Sequence, residues 1–438
     1  MRSFAAAALA AAFLLGAQAA RGAPADEVRA LLEQGRSKEA YELASRHPEE
    51  LGKPEFDFYY GIAAVDSGHA GAGVLALERY IIQFPDNDRA RLELARAYFV
   101  LGELARARDE FDTVLRRNPP PEVEATIDRF LDSIRSQETR YRTSASLYVE
   151  LGGGYDSNVN SGVGNPVISV PTLGVVQLAQ IGARSADYFS HIGAGGQFSH
   201  PIAPGFALIG GVGAEGKLHS NDFDQQFDQV GAALYAGTSY LKDRNLARAT
   251  VTLSTLYVDY DRFRDAATFG AEWHRQFDEF NSGSVFGQYA RLQYPSSPVR
   301  DSDFYGLGLG WRRAFVVRYQ PVFQLQALYG QERNDAEPVR DDLSRDLYTL
   351  RGGLSLTPAA RWGASIALAY TRSNFDEPDA LFLVSREDDY YAVELGASYR
   401  VTRQLSLRAD YLYSDNRSNI PLYEYTRDVI TLRVRYEL

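Results

Sequence analysis

The chain has 438 residues, no cysteine, and 57 acidic against 46 basic residues, for a formal net charge of −11. The missing cysteines exclude disulfides, zinc–thiolate and iron–sulfur sites, cysteine nucleophiles and a lipobox. The acidic balance disfavours a nucleic-acid partner, because no basic excess exists to neutralise phosphates.

The N-terminus, "MRSFAAAALAAAFLLGAQAARGAPADEVR", carries Arg2 and then an apolar stretch from Phe4 to Leu15 that is too short to span a bilayer. Ala17-Gln-Ala19 and Ala23-Pro-Ala25 put small residues at −3 and −1 of two cleavage positions. Residues 1–25 therefore read as a secretory signal peptide, the other reading being an N-terminal anchor. No later stretch approaches the ~18 apolar residues of a membrane helix, so a membrane protein of this sequence must be a barrel.

Residues 26–140 read as helical repeats. Gly68 and Gly102, and Pro85 and Pro119, are each separated by one period, which is that of a helix–turn–helix repeat. Tyr60, Gly61, Ala64, Gly68, Leu77 and Pro85 fall on one repeat. Leu94, Ala95, Tyr98, Gly102, Ala107, Phe111 and Pro119 fall on the next. Leu31 to His47 reads as the second half of a degenerate preceding repeat, and the stretch from Pro119 onward as a capping helix. Tyr60, Gly61, Gly68, Leu94, Tyr98 and Gly102 are the scaffold of a curved groove that such stacking creates, used for docking or only as a spacer. His47 and His69 stand alone and read as surface residues.

From about residue 141 the period changes from 3.6 to 2. In "QLSLRADYLYS", Leu405, Leu407, Ala409, Tyr411 and Tyr413 alternate with Ser406, Arg408 and Asp410. Fourteen such segments begin near Thr143, Asp187, Phe206, Asp228, Leu246, Asp265, Gly283, Asp303, Pro321, Asp346, Arg361, Asp389, Gln404 and Tyr425. The one near Gly283 alternates least. Their length suits tilted bilayer-crossing strands of roughly 9–11 residues. Aromatics such as Trp362, Tyr370, Tyr391 and Tyr399 flank the apolar faces. Short connections alternate with long polar ones, as in outer-membrane barrels. The expected fold is α+β and multidomain: an N-terminal helical-repeat solenoid and, over 141–438, a C-terminal antiparallel transmembrane β-barrel of about 14 strands. Glu215, Glu272, Arg312, Arg351, Glu394, Arg408 and Arg433 are candidate lumen-lining residues, a set of mixed sign.

No serine is placed by spacing near a histidine, so the chain is not expected to be an enzyme. No cofactor is expected. At the start of the barrel, "LGGGYDSNVNSG" offers Tyr155, Asp156, Ser157, Asn158 and Asn160. Their oxygens suit calcium only with a second carboxylate, which is lacking. A strand exit rich in turn formers is the plainer reading. The connection that follows is long and fairly apolar, and could fold into the lumen as a plug.

A signal peptide, a few tetratricopeptide repeats and a barrel that opens on "GGGYDSNVN" together resemble the surface lipoprotein assembly modulator family, the type XI secretion outer-membrane proteins. The last strand, "VITLRVRYEL", is similar to a closing strand read by barrel-assembly machinery, with Leu438 where an aromatic is commoner. The resemblance implies an outer-membrane location with the helical domain in the periplasm. It implies transport of lipoprotein or soluble protein cargo to the cell surface, with a periplasmic chaperone, barrel-assembly machinery and outer-membrane lipids as partners. The absence of a GxxxxGK[ST] motif leaves any driving force to cargo folding or partner proteins. Alternatives are an exopolysaccharide export barrel and a passive porin.

Overall fold

The computed structural model describes residues 23–138 and 142–438, which form two compact units. The signal-peptide reading falls on residues 1–25, of which 1–22 lie outside the described residues.

Proline and glycine punctuate the first unit. Its helices are α1 (Pro24–Glu33), α2 (Ser37–Ala44), α3 (Pro54–Asp66), α4 (Ala70–Gln83), α5 (Asp88–Leu101), α6 (Leu104–Leu115) and α7 (Pro121–Glu138). Pro24, Pro54 and Pro121 open α1, α3 and α7, where the missing N–H costs nothing. Gly35, Gly68 and Gly102 follow α1, α3 and α5 with φ of 73°, 90° and 80°, the left-handed region that ends a helix cheaply. The preceding repeat is more complete than its sequence pattern predicts. The chain before Leu31 forms α1, and Ala25, Val28, Ala40 and Ala44 bury a shared face with Phe56 and Ala63. The main core runs from Phe58 through Leu77, Leu94, Tyr98, Phe111 and Ile127 to Ile134. Gly61 is obligatory there, since a Cβ would lie 2.6 Å from Leu77 Cγ.

The second unit is a closed barrel of fourteen antiparallel strands. They are β1 (Ser144–Asp156), β4 (Asp187–Ala203), β5 (Phe206–His219), β6 (Gln229–Lys242), β7 (Asn245–Val258), β8 (Asp261–Gln276), β9 (Asn281–Gln293), β10 (Ser302–Ala314), β11 (Val322–Asn334), β12 (Arg345–Ala359), β13 (Trp362–Pro378), β14 (Ser385–Arg400), β15 (Leu405–Ser418) and β16 (Tyr425–Glu437). β2 (Val167–Val170) and β3 (Gly174–Gln177) form a separate hairpin in the first long connection. Closure is β1 on β16, with Val149 opposite Tyr436 and Tyr155 opposite Ile430. It leaves no open edge, which a bilayer would not tolerate.

Alternation sets the two faces. Leu151 and Leu432 are 59% and 61% exposed on the outer face, as expected only where lipid replaces water. Two aromatic girdles bound this face. At the short-turn end Phe206 stacks on Tyr240 at 4.2 Å and Trp362 meets Tyr399 at 4.9 Å. At the long-loop end Tyr289–Tyr305, Tyr329–Tyr348 and Tyr370–Tyr391 each lie 5.2 Å apart. Tyr370 and Tyr411 donate there to Asp389 and Asp428, both at 2.7 Å. Such rings belong at a membrane–water interface.

The loop rhythm needs one correction. Several connections expected to be long are shorter, because the strands continue past the girdle. β13 runs to Pro378 and β14 starts at Ser385, leaving only 379–384. The β7–β8 connection is Asp259-Tyr260 alone, with φ of 52° and 60°, a turn whose twist matches a hairpin. The Gly283 segment, despite its weak alternation, forms β9, held on both sides by β8 and β10.

Candidate functional site

The motif at the barrel start lies on the seam where the first strand meets the last. Even-numbered residues of β1 face the lumen, so Glu150, Gly152, Gly154 and Asp156 point inward beside β16. Gly152 and Gly154 let the strands close: a Cβ would stand 2.2 Å from Leu432 O in one case and 2.0 Å from Ile430 O in the other. Phe189 of β4 covers Gly154, and Lys217 Nζ sits 4.4 Å above its ring.

Asp156 has no exposed surface. Its carboxylate accepts from Arg427 Nε at 3.0 Å and Arg427 Nη2 at 2.5 Å, and from Lys217 Nζ. It also accepts the Asn158 N–H at 3.0 Å. One carboxylate thus ties β1, β5 and β16 together. A second latch lies deeper. Glu150 accepts from Arg433 at 2.8 Å and lies 3.1 Å from His191 Nε2, while Arg433 also donates to Asp410.

The rest of the motif organises the first long connection. Ser157 N–H donates to Asp428 O at 2.9 Å, and Asp428 N–H donates back to Ser157 Oγ at 2.8 Å. Asn158 Nδ2 donates to Thr426 O at 3.0 Å and Gly162 O at 2.9 Å, and its Oδ1 accepts from Gly162 N–H. Asn160 Nδ2 reaches Ile181 O and Ala183 O at 2.8 and 2.6 Å, closing the base of the loop. The β2–β3 hairpin then packs Ile168 and Val170 on Phe382 and Ile420, from the connections at 379–384 and 419–424. Thr172 Oγ1 donates to Leu381 O at 3.0 Å. Part of this apolar sequence is thus spent on neighbouring loops, while Leu173 and Val175 at the hairpin tip stay exposed. Tyr155 faces outward and meets the tilted ring of Tyr188 at 5.2 Å, as an interfacial aromatic should.

The register puts Glu215, Glu272, Arg312, Arg351, Glu394, Arg408 and Arg433 all on the lumen face. They do not converge on one point. Arg351 and Glu394 pair bidentately at 2.7 and 2.6 Å across β13, which offers only Ala367 and Ala369 between them. Arg433 joins the seam, and Arg408 is its register neighbour. Sequence reasoning paired neither Lys217 nor Arg427 with Asp156. For Arg427 the only signal was opposite charge on one parity, and the pairing with Asp156 follows from closure. Among the described residues no cluster of three or more histidines and carboxylates could hold a metal ion.

In the helical unit, Gly61, Leu94 and Tyr98 are buried scaffold, and Gly68 and Gly102 are turns. Tyr60 is half-buried and stacks near Phe56 and Tyr41. His69 stacks on Tyr41 at 4.0 Å. Between α5 and α7 lies a cleft of about 400 Å³ with apolar walls from Leu92, Val123 and Phe130. Arg96 lines it, 2.7 Å from both Asp66 and Glu93. Its Nε is buried without a hydrogen-bond partner. Burial pushes the Glu93 carboxyl above the usual carboxylate range, with Arg96 opposing.

Comparison with known proteins agrees with both units. Residues 61–121 match the tetratricopeptide repeat family, and residues 348–438 match the family described as "Putative beta-barrel porin 2". No curated protein matches the chain. Among solved structures, remote likenesses include a FadL homologue of Pseudomonas aeruginosa (12% identity, TM-score 0.38, covering 68% of this chain and 90% of that one). An anion-selective porin of Comamonas acidovorans is similar at 9% identity and TM-score 0.36, covering 68% and 100%. A bacterial polysaccharide outer-membrane secretin is similar at 8% and 0.36, covering 67% and 98%. The layout is the one that the resemblance to surface lipoprotein assembly modulators implies: the chain is an outer-membrane β-barrel of porin-like fold preceded by a tetratricopeptide-repeat domain.

Proposed function

We propose that the protein moves lipoprotein or soluble protein cargo across the outer membrane, with the helical domain on the periplasmic side. The observation that carries this reading is the cleft between α5 and α7. It combines apolar walls from Leu92, Val123 and Phe130 with the partly exposed, charged Arg96 and Glu93, a lining that suits the mixed apolar and polar surface of an incoming chain. A passive pore has no use for such a site. The lumen suits passage of mixed sequences rather than of a polymer of one charge, since it carries both signs, with Arg351 paired to Glu394 and Arg433 to Glu150. Partners follow from this reading: the cargo, a periplasmic chaperone that delivers it, and the machinery that inserts the barrel.

The test is co-expression with lipoproteins encoded beside the gene, and antibody labelling of intact cells. Surface exposure of at least one neighbour should depend on the protein and fall with Arg96→Ala. Exposure that is independent of the protein overturns cargo export and leaves a porin.

A further inference from the structure

The outer wall carries a feature that export does not explain. Between β5 and β9 the lipid-facing surface sinks into a groove of about 460 Å³, within the size range of small-molecule sites. The register explains the depression. Ala232 and Ala267 stand in outward positions beside Leu234 and Leu253, which face each other in register across β6 and β7, so the leucine pair walls a floor formed by Ala232, Thr255, Asp265 and Ala267. β7 and β9 rise toward the long-loop end and β6 and β8 descend from it, so the apolar walls lie deeper. Arg262, near the start of β8, and Arg291, near the end of β9, stand at the mouth.

Both guanidiniums are more than half exposed, at 57% and 55%. Arg262 spends two donors on Asp265, each at 2.8 Å, and Arg291 spends one on Asp335 at 2.8 Å. A guanidinium has five donors in a planar fork, so both keep unspent N–H groups at the mouth. The Tyr289–Tyr305 pair sets the height, with Arg291 one outward position above Tyr289. That is the level of lipid headgroups.

In a bilayer such a groove is filled by lipid chains, because no water competes for an apolar surface there. Acyl chains alone would need no cations above them. We propose that this groove is a binding site for a membrane lipid with a phosphate headgroup: an acyl chain lies over Ala232 and Ala267 against Leu234 and Leu253, and the phosphate takes the free N–H groups of Arg262 and Arg291. Phosphate is the headgroup chemistry that paired, planar guanidiniums recognise best. The site is independent of the export reading, since it faces the bilayer and not the lumen.

The test is native mass spectrometry of the full chain in mild detergent, titrated with phosphatidylglycerol or with diacylglycerol, which lacks the phosphate. The protein should retain phosphatidylglycerol about tenfold more strongly than diacylglycerol. Arg262→Gln with Arg291→Gln should remove most of that preference and leave diacylglycerol retention unchanged. Ala232→Phe with Ala267→Phe, which fills the groove, should lower retention of both lipids about tenfold. The arginine variant changes only exposed side chains and keeps the test decisive if the filled variant fails to fold. Equal retention of the two lipids by the parent, or phosphatidylglycerol retention unchanged by the arginine variant, overturns the proposal.

Discussion

Replacing Asp156 with alanine tests the seam most directly. The side chain is fully buried, and the change strands Arg427 and Lys217, which are 23% and 18% exposed. Breaking a buried ion pair by removing one partner costs about 3–5 kcal/mol, because the remaining charge stays desolvated. Lys217 and Arg427 retain some access to lumen water, so the lower end of that range, about 3 kcal/mol, is expected. The assay is urea unfolding of the purified full chain in detergent, followed by the loss of the compact electrophoretic form. A cycle with Arg427→Met and Lys217→Met separates the charge effect from lost packing. With both cations removed, Asp156→Ala should cost less than about 1 kcal/mol. A parent-like unfolding midpoint for the single variant would refute the latch. So would an equal loss in the background without cations.

Three further outcomes follow from the geometry. Gly154→Leu places a Cβ against Ile430 O and the Phe189 ring, and should abolish the heat-resistant folded form, read by electrophoretic mobility before and after boiling. Arg351→Ala leaves Glu394 unpaired in the lumen and should shift the reversal potential of single channels in a salt gradient toward cation selectivity, with Glu394→Ala shifting it oppositely. Glu93 has a folded-state pKa raised by burial, so its protonated form favours the fold. That contribution is complete below the ordinary carboxylate pKa and is lost as pH rises through the raised value. Hydrogen exchange in α5 should therefore accelerate across that window in the parent, and less so in Glu93→Gln.

Much of the barrel is readable because lipid enforces a strict period of two. β4, β5 and β16 start where alternation begins, at Asp187, Phe206 and Tyr425. Trp362 and Tyr370 mark the two girdles because only amphipathic rings suit that depth. Strand ends are less legible. Residues such as Arg372 and Asn374 are polar on the outward face, yet they continue β13 above the girdle, where water replaces lipid. The latch was half visible. Asp156 announces itself within a turn-forming motif, but its partner Arg427 is 271 residues away and only ring closure selects it. α1 was missed because its repeat retains the helix without the repeat's marker residues.

The seam also has a temporal meaning. Glu150–Arg433 and Asp156–Arg427 join residues 283 and 271 positions apart, among the longest separations the barrel contains. Contacts of such separation cost the most chain entropy and form late. Until β16 arrives, two acids of β1 have no arginine partners and the strand edge is open. The same charges that hold the finished wall therefore report on whether it is finished. A chain that stalls before its last strand displays carboxylates that lack their arginines beside a bare edge, and completing the circle removes both signals at once.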